Sequence, residues 1–255
     1  MPPLSLSLPS QDGAHWLVAL AINALLIALA QRAPLLTPAG WVHAGILGTL
    51  LWGSLGWRGW LAVVAYLALG SAVTKLGFRV KRASGLAEGR GGRRGPENVW
   101  GSALVAALLA LLTPWAGVEA PRLLVGFAAS LAAKLADTCG SEIGKRWGRH
   151  TVLITTLRPV PAGTEGAISL EGTAASAAGG VVMAVVMAAL GVIESPGALA
   201  LVAGVGLLAT LLESVLGATA QQRVAWLSNE LVNGLQTLVA AGLAVALAPV
   251  VPGAT

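Results

Sequence analysis

The sequence predicts an all-α, polytopic integral membrane bundle of about eight transmembrane helices. Three observations carry this. Of 255 residues, 56% are hydrophobic and 11% charged, with a mean hydropathy of +0.78, whereas soluble domains are about 25% charged. Apolar runs near the roughly 20 residues that a crossing needs recur along the chain. These runs are continuous and rich in Ala and Leu, not alternating in roughly ten-residue units as barrel strands do.

Taken in order, residues 1–13, MPPLSLSLPSQDG, carry no basic residue before the first apolar run. They read as a disordered lead rather than a standard signal peptide. One transmembrane domain then covers 14–250, with spans at 14–31, 39–55, 57–78, 98–116, 121–141, 168–192, 196–218 and 229–250. The second and third are close enough for a tight hairpin. The second is short, so a count of seven stays open. The 33 glycines suit close helix contact in lipid, where small residues let backbones approach. Many of the nine tryptophans, including Trp16, Trp41, Trp57, Trp115, Trp147 and Trp226, fall near span ends, as an interfacial belt. Cys139 is the one cysteine, which excludes an intrachain disulfide and a cysteine-cluster metal site.

Charge sets the orientation. Arg79, Lys81, Arg82, Arg90, Arg93 and Arg94 lie in the loop 79–97, and Lys145, Arg146, Arg149 and Arg158 in 142–167. Arg223 lies in 219–228 and Arg32 in 32–38. With eight spans these loops share one side, which the positive-inside rule makes cytoplasmic, with the N-terminus outside. The other side has Arg58 and Arg122. The net charge of +5 follows mostly from these tethered loops, so nucleic acid is not an expected partner.

The polar chemistry collects at the same face. An ionisable group within a span costs roughly 2.5–3.5 kcal/mol on insertion scales and is a functional candidate. Lys75 lies about one turn inside the third span. The loop run GRGGRRGPEN follows, with Arg90, Arg93, Arg94 and Asn98. Glycines let backbone N–H groups approach an anion, and Arg grips phosphate bidentately. A flexible positive-inside loop near anionic lipid explains that stretch equally well. The Walker pattern is absent.

The fifth span carries KLADTCGSEIGKR. Helical spacing puts Lys134, Asp137, Thr138 and Ser141 on one face, with Glu142 close to Thr138 and Lys145. The bland alternative is a self-neutralising Lys134–Asp137 pair with Glu142 at the interface. Pro159 and Pro161 then stop any helix, and AGTEGAISLEGT supplies Gly163, Thr164, Glu165, Ser169, Glu171 and Thr173. The N-terminus of the sixth span beside these residues suits a phosphate, or Ser169 is an ordinary N-cap. Glu213 lies inside the seventh span. Glu230 and Asn233 open the eighth, where Asn233 alone reads best as a helix bridge.

Asp137, Glu142, Glu165, Glu171, Glu213 and Glu230 form an oxygen-rich set without His or Cys, which suits Mg²⁺ bound through one or two carboxylates plus phosphates. Lys75, Arg93, Arg94 and Lys134 would neutralise phosphate. His15 and His43 lie near span ends and His150 in a loop, so none reads as catalytic. The mixture at a membrane face points to phosphoryl transfer.

The runs GSAVTKLGFRVK, GLAEGRGGRRGPENVWGSA, ADTCGSEIG, TLRPVPAGTEGAISLEGTAAS, ESVLGATAQ and NELVNGLQT resemble the transmembrane protein 19-like family. AEGRGGRRGPENVWGS and TEGAISLEGT are most similar to its plant and cyanobacterial branch, the phytyl-phosphate kinases of vitamin E synthesis. The match covers roughly 23–245. The resemblance implies a kinase in a bacterial inner or thylakoid-type membrane. It would transfer the γ-phosphate of a nucleoside triphosphate, CTP by expectation, to phytyl or a related polyprenyl monophosphate. The product is a diphosphate for tocopherol and phylloquinone synthesis. The division of roles expected here puts Asp137, Lys134 and Lys75 in catalysis. Mg²⁺ goes to Asp137, Glu142 and Glu213. Substrate goes to Arg93, Arg94, Asn98, Gly163, Thr164, Glu165, Ser169 and Asn233. The rival expectations are a nucleotidyltransferase that forms a CDP-lipid and an ion- or proton-coupled transporter.

Overall fold

A computed structural model describes residues 8–221 and 223–251; the first seven residues of the predicted lead lie outside them. The helices are α1 (Gly13–Ala30), α2 (Pro38–Lys75), the short α3 (Phe78–Ala83), α4 (Pro96–Leu112), α5 (Ala120–Trp147), α6 (Leu170–Ala189), α7 (Pro196–Leu216) and α8 (Asn229–Leu247). Two-residue strands β1 (Val152–Leu153) and β2 (Ala167–Ile168) pair antiparallel between α5 and α6. Seven of the helices are long and apolar enough to cross a membrane.

One of the seven, α2, has 38 residues and a single non-helical break, Gly56, at φ 71° and ψ −168°. Positive φ is glycine's region. Arg94 lies against both Gly40 and Gly70, positions that a straight helix would hold about 45 Å apart. The helix therefore reverses at Gly56, and its limbs are the second and third spans, joined as a tight hairpin. Each limb is about 27–29 Å long at the helical rise, close to the ~30 Å hydrocarbon thickness. The main chain confirms the reversal. The Thr37 N–H donates to the Arg94 carbonyl (3.0 Å) and the Arg94 N–H to the Leu35 carbonyl (3.1 Å). The segments 31–37 and 76–95 thus share one side, here termed the loop face, together with 148–169 and 217–228.

The bundle is built around α5, which packs against α2, α4, α6, α7 and α8 and is buried at every position from Val125 to Ala136. Its closest neighbour is α6, and small residues set that distance. A Cβ at Gly140 would stand 2.0 Å from Ser176 Oγ, and one at Gly172 or Gly179 would stand 2.9 Å from an α5 carbonyl. Helix α5 also runs to Trp147, past the end expected at 141. Its last turns are polar, but Glu142 and Lys145 find partners in Lys81 and Glu88, and nothing breaks the helix before Gly148.

Candidate active site

The loop-face ends of α2, α4, α5, α6, α7 and α8 converge on a polar cavity of about 470 Å³. Its floor is the α5 turn predicted from sequence. Lys134 is 3% exposed, and its Nζ donates to Asp137 Oδ2 (2.7 Å) and to Asn233 Oδ1 of α8 (2.8 Å). The ammonium fixes the carboxylate and ties two helices, while the Asp137 side chain keeps 20% of its surface open. Below it, Gln236 Nε2 donates to the Ala133 carbonyl (3.2 Å) and to Thr210 Oγ1 (3.1 Å), joining α5, α7 and α8.

The rim is cationic. Arg94 Nη1 donates to the Tyr66 hydroxyl (2.9 Å), and the guanidinium carbon stands 5.2 Å from the centre of the tyrosine ring. Gly70 makes this fit, because a Cβ there would lie 2.8 Å from Arg94 Nη2. Arg93 donates from Nε to the Arg90 carbonyl (3.3 Å). Arg90, in the left-handed region at φ 54°, pairs with Glu97 and reaches Asn98 Oδ1 (3.2 Å). Among the described residues, Arg93 and Arg94 are the cavity-lining cations with no carboxylate partner.

Of the residues proposed from sequence, Lys134, Asp137, Glu142, Glu213, Arg93, Arg94, Asn98, Gly163, Thr164, Glu165, Ser169 and Asn233 all line this cavity. Lys75 does not. It is exposed, because the inward position of that turn belongs to Thr74. The left-handed Gly77 (φ 61°) then turns the chain, and Lys81 points inward instead. Lys81 is fully enclosed, pairs with Glu142 and donates to the Thr74 carbonyl (2.8 Å). Glu142, expected as a metal ligand, is thus engaged by an ammonium, with Lys145 Nζ 3.7 Å from its other oxygen.

Two further side chains serve the backbone. Ser169 Oγ accepts from the Gly172 N–H (3.1 Å) and caps α6. Asn98 Oδ1 accepts from the Gly95 N–H (2.9 Å) and caps α4, and its Nδ2 donates to Glu230 (3.4 Å). Glu171 lies outside the cavity and accepts weakly from the Arg149 N–H (3.4 Å). The rim loop is seated by Gly166 (φ 77°), where a Cβ would collide with Ala218 and the Ser214 carbonyl of α7. On that loop, desolvation raises the Glu165 carboxyl above its usual range against the pull of Lys145. Tyr66 and Glu88 also line the cavity without having been singled out. The sequence signal for Tyr66 is that it is the one tyrosine, set in mid-span.

Among the described residues, no three His, Cys, Asp or Glu side chains gather as a metal cage. Asp137 and Glu213 nonetheless face one cavity, and neither Glu213 oxygen has an ion-pair partner among the described residues. Two carboxylates fit Mg²⁺, which completes its shell with water and phosphate oxygens.

Residues 21–241 match the family described as integral membrane protein DUF92. The chain is 51% identical to an uncharacterized membrane protein of Synechocystis over 91% of both chains. It is 41% identical to the chloroplastic protein VTE6 of Arabidopsis thaliana, over 86% of this chain and 67% of that one. A third relative, an uncharacterized membrane protein of Methanocaldococcus jannaschii, is 28% identical over 87% and 90%. No solved structure matches. The resemblance carried by the loop motifs is upheld, and the protein belongs to the DUF92 family of integral membrane proteins.

Proposed function

We propose that this protein is a membrane kinase acting on phytyl phosphate or a related isoprenoid monophosphate. The γ-phosphate comes from a nucleoside triphosphate, CTP by preference, at the loop face, which is cytoplasmic. The observation that carries the reading is the polar cavity. Two guanidiniums without carboxylate partners among the described residues, Arg93 and Arg94, share it with two carboxylates, Asp137 and Glu213, at the mouth of a membrane bundle. The motifs that resemble phytyl-phosphate kinases, and the likeness to VTE6, support the acceptor.

The chemistry asks little of a general base. The acceptor phosphate is largely ionised near neutral pH, so one of its oxygens can attack the γ-phosphorus directly. A new P–O bond forms, the bond from the γ-phosphorus to the β–γ bridging oxygen breaks, and the nucleoside diphosphate leaves. The obstacle is repulsion between two anions, so positioning and charge neutralisation are the catalyst. Arg93 and Arg94 hold phosphate oxygens at the rim. Lys134 holds Asp137 in its orientation and adds positive charge from below. Mg²⁺ held by Asp137 and Glu213 would neutralise the transferring phosphates. Gly163 and Thr164 shape the rim loop beside them. Ser169, Asn98 and Asn233 act by fixing α6, α4 and Lys134. Glu142 supports the site through Lys81.

The test incubates purified protein with phytyl phosphate, Mg²⁺ and labelled CTP, ATP, GTP or UTP. Lipid diphosphate plus nucleoside diphosphate is the expected product. Pyrophosphate plus a CDP-lipid would make the protein a nucleotidyltransferase, and no product with any donor would overturn the proposal. Asp137→Asn should abolish transfer while the protein still inserts and purifies.

A further inference from the structure

A second cavity, of about 270 Å³, lies between α1, both limbs of α2 and α4. Its walls are apolar and include Ile27, Leu47, Val63, Leu67, Val99 and Ala103. It adjoins the site: Tyr66, Arg94, Asn98 and Ser102 line both cavities. The Arg94–Tyr66 pair therefore has the polar cavity on one side and an apolar wall on the other. Trp41, also in this wall, is 6% exposed and carries an indole N–H without a hydrogen-bond partner among the described residues.

The far end is closed by a polar pair whose needs are met internally. Trp60 Nε1 donates to Asn23 Oδ1 (2.9 Å), and Asn23 Nδ2 donates to the Ala19 carbonyl (2.9 Å). Gly48 leaves room for this contact, since a Cβ there would meet both side chains. From Ala30 at the loop face to Asn23 is seven helical positions, a depth of about 10 Å. The flank is open. Ile27, Ala30, Val64 and Leu67 are half-exposed and Ala68 is exposed, along the seam between α1 and the second limb of α2.

We propose that this cavity is the binding site for the acceptor's isoprenoid chain. The occupant rests on the kinase reading above. The isoprene units next to the phosphate are enclosed between α1, α2 and α4, and the rest of the chain leaves through the α1–α2 seam into the bilayer. The shared wall of the two cavities argues for an amphiphile with an anionic head, since its two ends would bind on either side of Arg94. It also predicts selection for the units near the phosphate, because the Asn23–Trp60 floor stops the chain within about two turns of helix.

Two measurements test this. The first labels wild-type protein, without nucleotide, with an isoprenyl monophosphate carrying a diazirine on the unit next to the phosphate. Label on the α1, α2 and α4 walls, competed by phytyl phosphate, is expected. Label confined to other helices overturns the proposal. Competed labelling in this cavity from a protein that transfers no phosphate would leave the chain site standing and remove the kinase reading. The second compares kcat/KM for phytyl phosphate and isopentenyl phosphate in Val63→Trp and in Ala68→Trp, the latter at an exposed wall position that a large side chain can occupy without unfolding the bundle. Each enclosed methylene is worth about fourfold in affinity, so filling the cavity should shrink the preference for the long acceptor about tenfold or more. An unchanged preference in both variants overturns the proposal.

Discussion

Replacing Lys81 with Met leaves the Glu142 carboxylate, nearly enclosed at the cavity wall, without its ammonium. The two side chains are 0% and 3% exposed, so a charge left without its partner has little access to water. Removing one partner of a buried pair costs about 3–5 kcal/mol. Lys145, 3.7 Å from the other Glu142 oxygen, compensates in part and puts Lys81→Met near the lower bound of about 3 kcal/mol. That is more than a hundredfold in the unfolding constant. Glu142→Leu should cost a similar amount, since Lys81 then retains only the Thr74 carbonyl. The double variant Lys81→Met/Glu142→Leu leaves no orphaned charge and should lose far less than the sum.

The assay is unfolding of the purified protein in mixed micelles by increasing SDS fraction, followed by tryptophan fluorescence, with phosphoryl transfer measured on the same samples. Single variants within about 1 kcal/mol of wild type would refute the argument, because that is the behaviour of a solvated pair. The transfer data separate two roles for Glu142. A strut predicts that the double variant regains transfer that both single variants lose. A metal ligand predicts that Lys81→Met keeps its Mg²⁺ dependence and that the double variant is as inactive as Glu142→Leu.

Asn233→Leu removes one of the two side-chain acceptors of the Lys134 ammonium, a charge-assisted bond worth about 1.5–3 kcal/mol; transfer should fall at least tenfold with normal insertion, and an unaltered kcat would sink the positioning role. The folded state keeps the Glu165 proton to a higher pH than the unfolded chain does. Its contribution is therefore present below the usual glutamate value of 4.5 and lost as pH rises through the raised one. The effect is small for an exposed rim residue. Glu165→Gln should match wild type in acid and pull slightly ahead above that window, and the opposite ordering would refute the sign. Gly172→Val pushes a side chain into the Gly140 carbonyl and should destabilise by at least the ~1–3 kcal/mol typical of overpacking. Gly204→Ala, with open space around it, should be silent in the same SDS titration.

The helices were legible because hydropathy is a property of each segment alone. The hairpin was nearly legible too, in the single-residue gap between the spans 39–55 and 57–78 that the structure fills with Gly56. What composition does not encode is pairing across the chain. The turns of α5 past residue 141 read as loop because their charges are met by Glu88 and Lys81, 57 and 61 positions away. The same blindness put Lys75 in the site and left Lys81 out. A charge at a helix end can face any direction, and only the turn at Gly77 decides which lysine enters. Ser169 and Asn98 were recognisable as polar residues at helix starts, but whether a hydroxyl or amide is spent on a cap depends on backbone geometry. Tyr66 is paired with an arginine 28 positions away, a contact no local pattern announces.

The Lys134–Asp137 spacing was visible at once, and its meaning depends on depth. A charge within a span costs roughly 2.5–3.5 kcal/mol on insertion scales, and each charge-assisted bond returns about 1.5–3 kcal/mol. With Asp137 and Asn233 both accepting, the ammonium is close to compensated at its present level. Deeper in the bundle the compensation stops. From Val125 to Ala133, α5 is buried and apolar except for Ser130, whose hydroxyl is spent on the Phe127 carbonyl. The polar bridge of Gln236 and Thr210 is likewise turned onto the Ala133 carbonyl. A transporter of ions calls for ionisable groups near the midplane, on a path open to both sides. This distribution, charged at one face and apolar beneath it, favours chemistry performed at the membrane surface over transport through it.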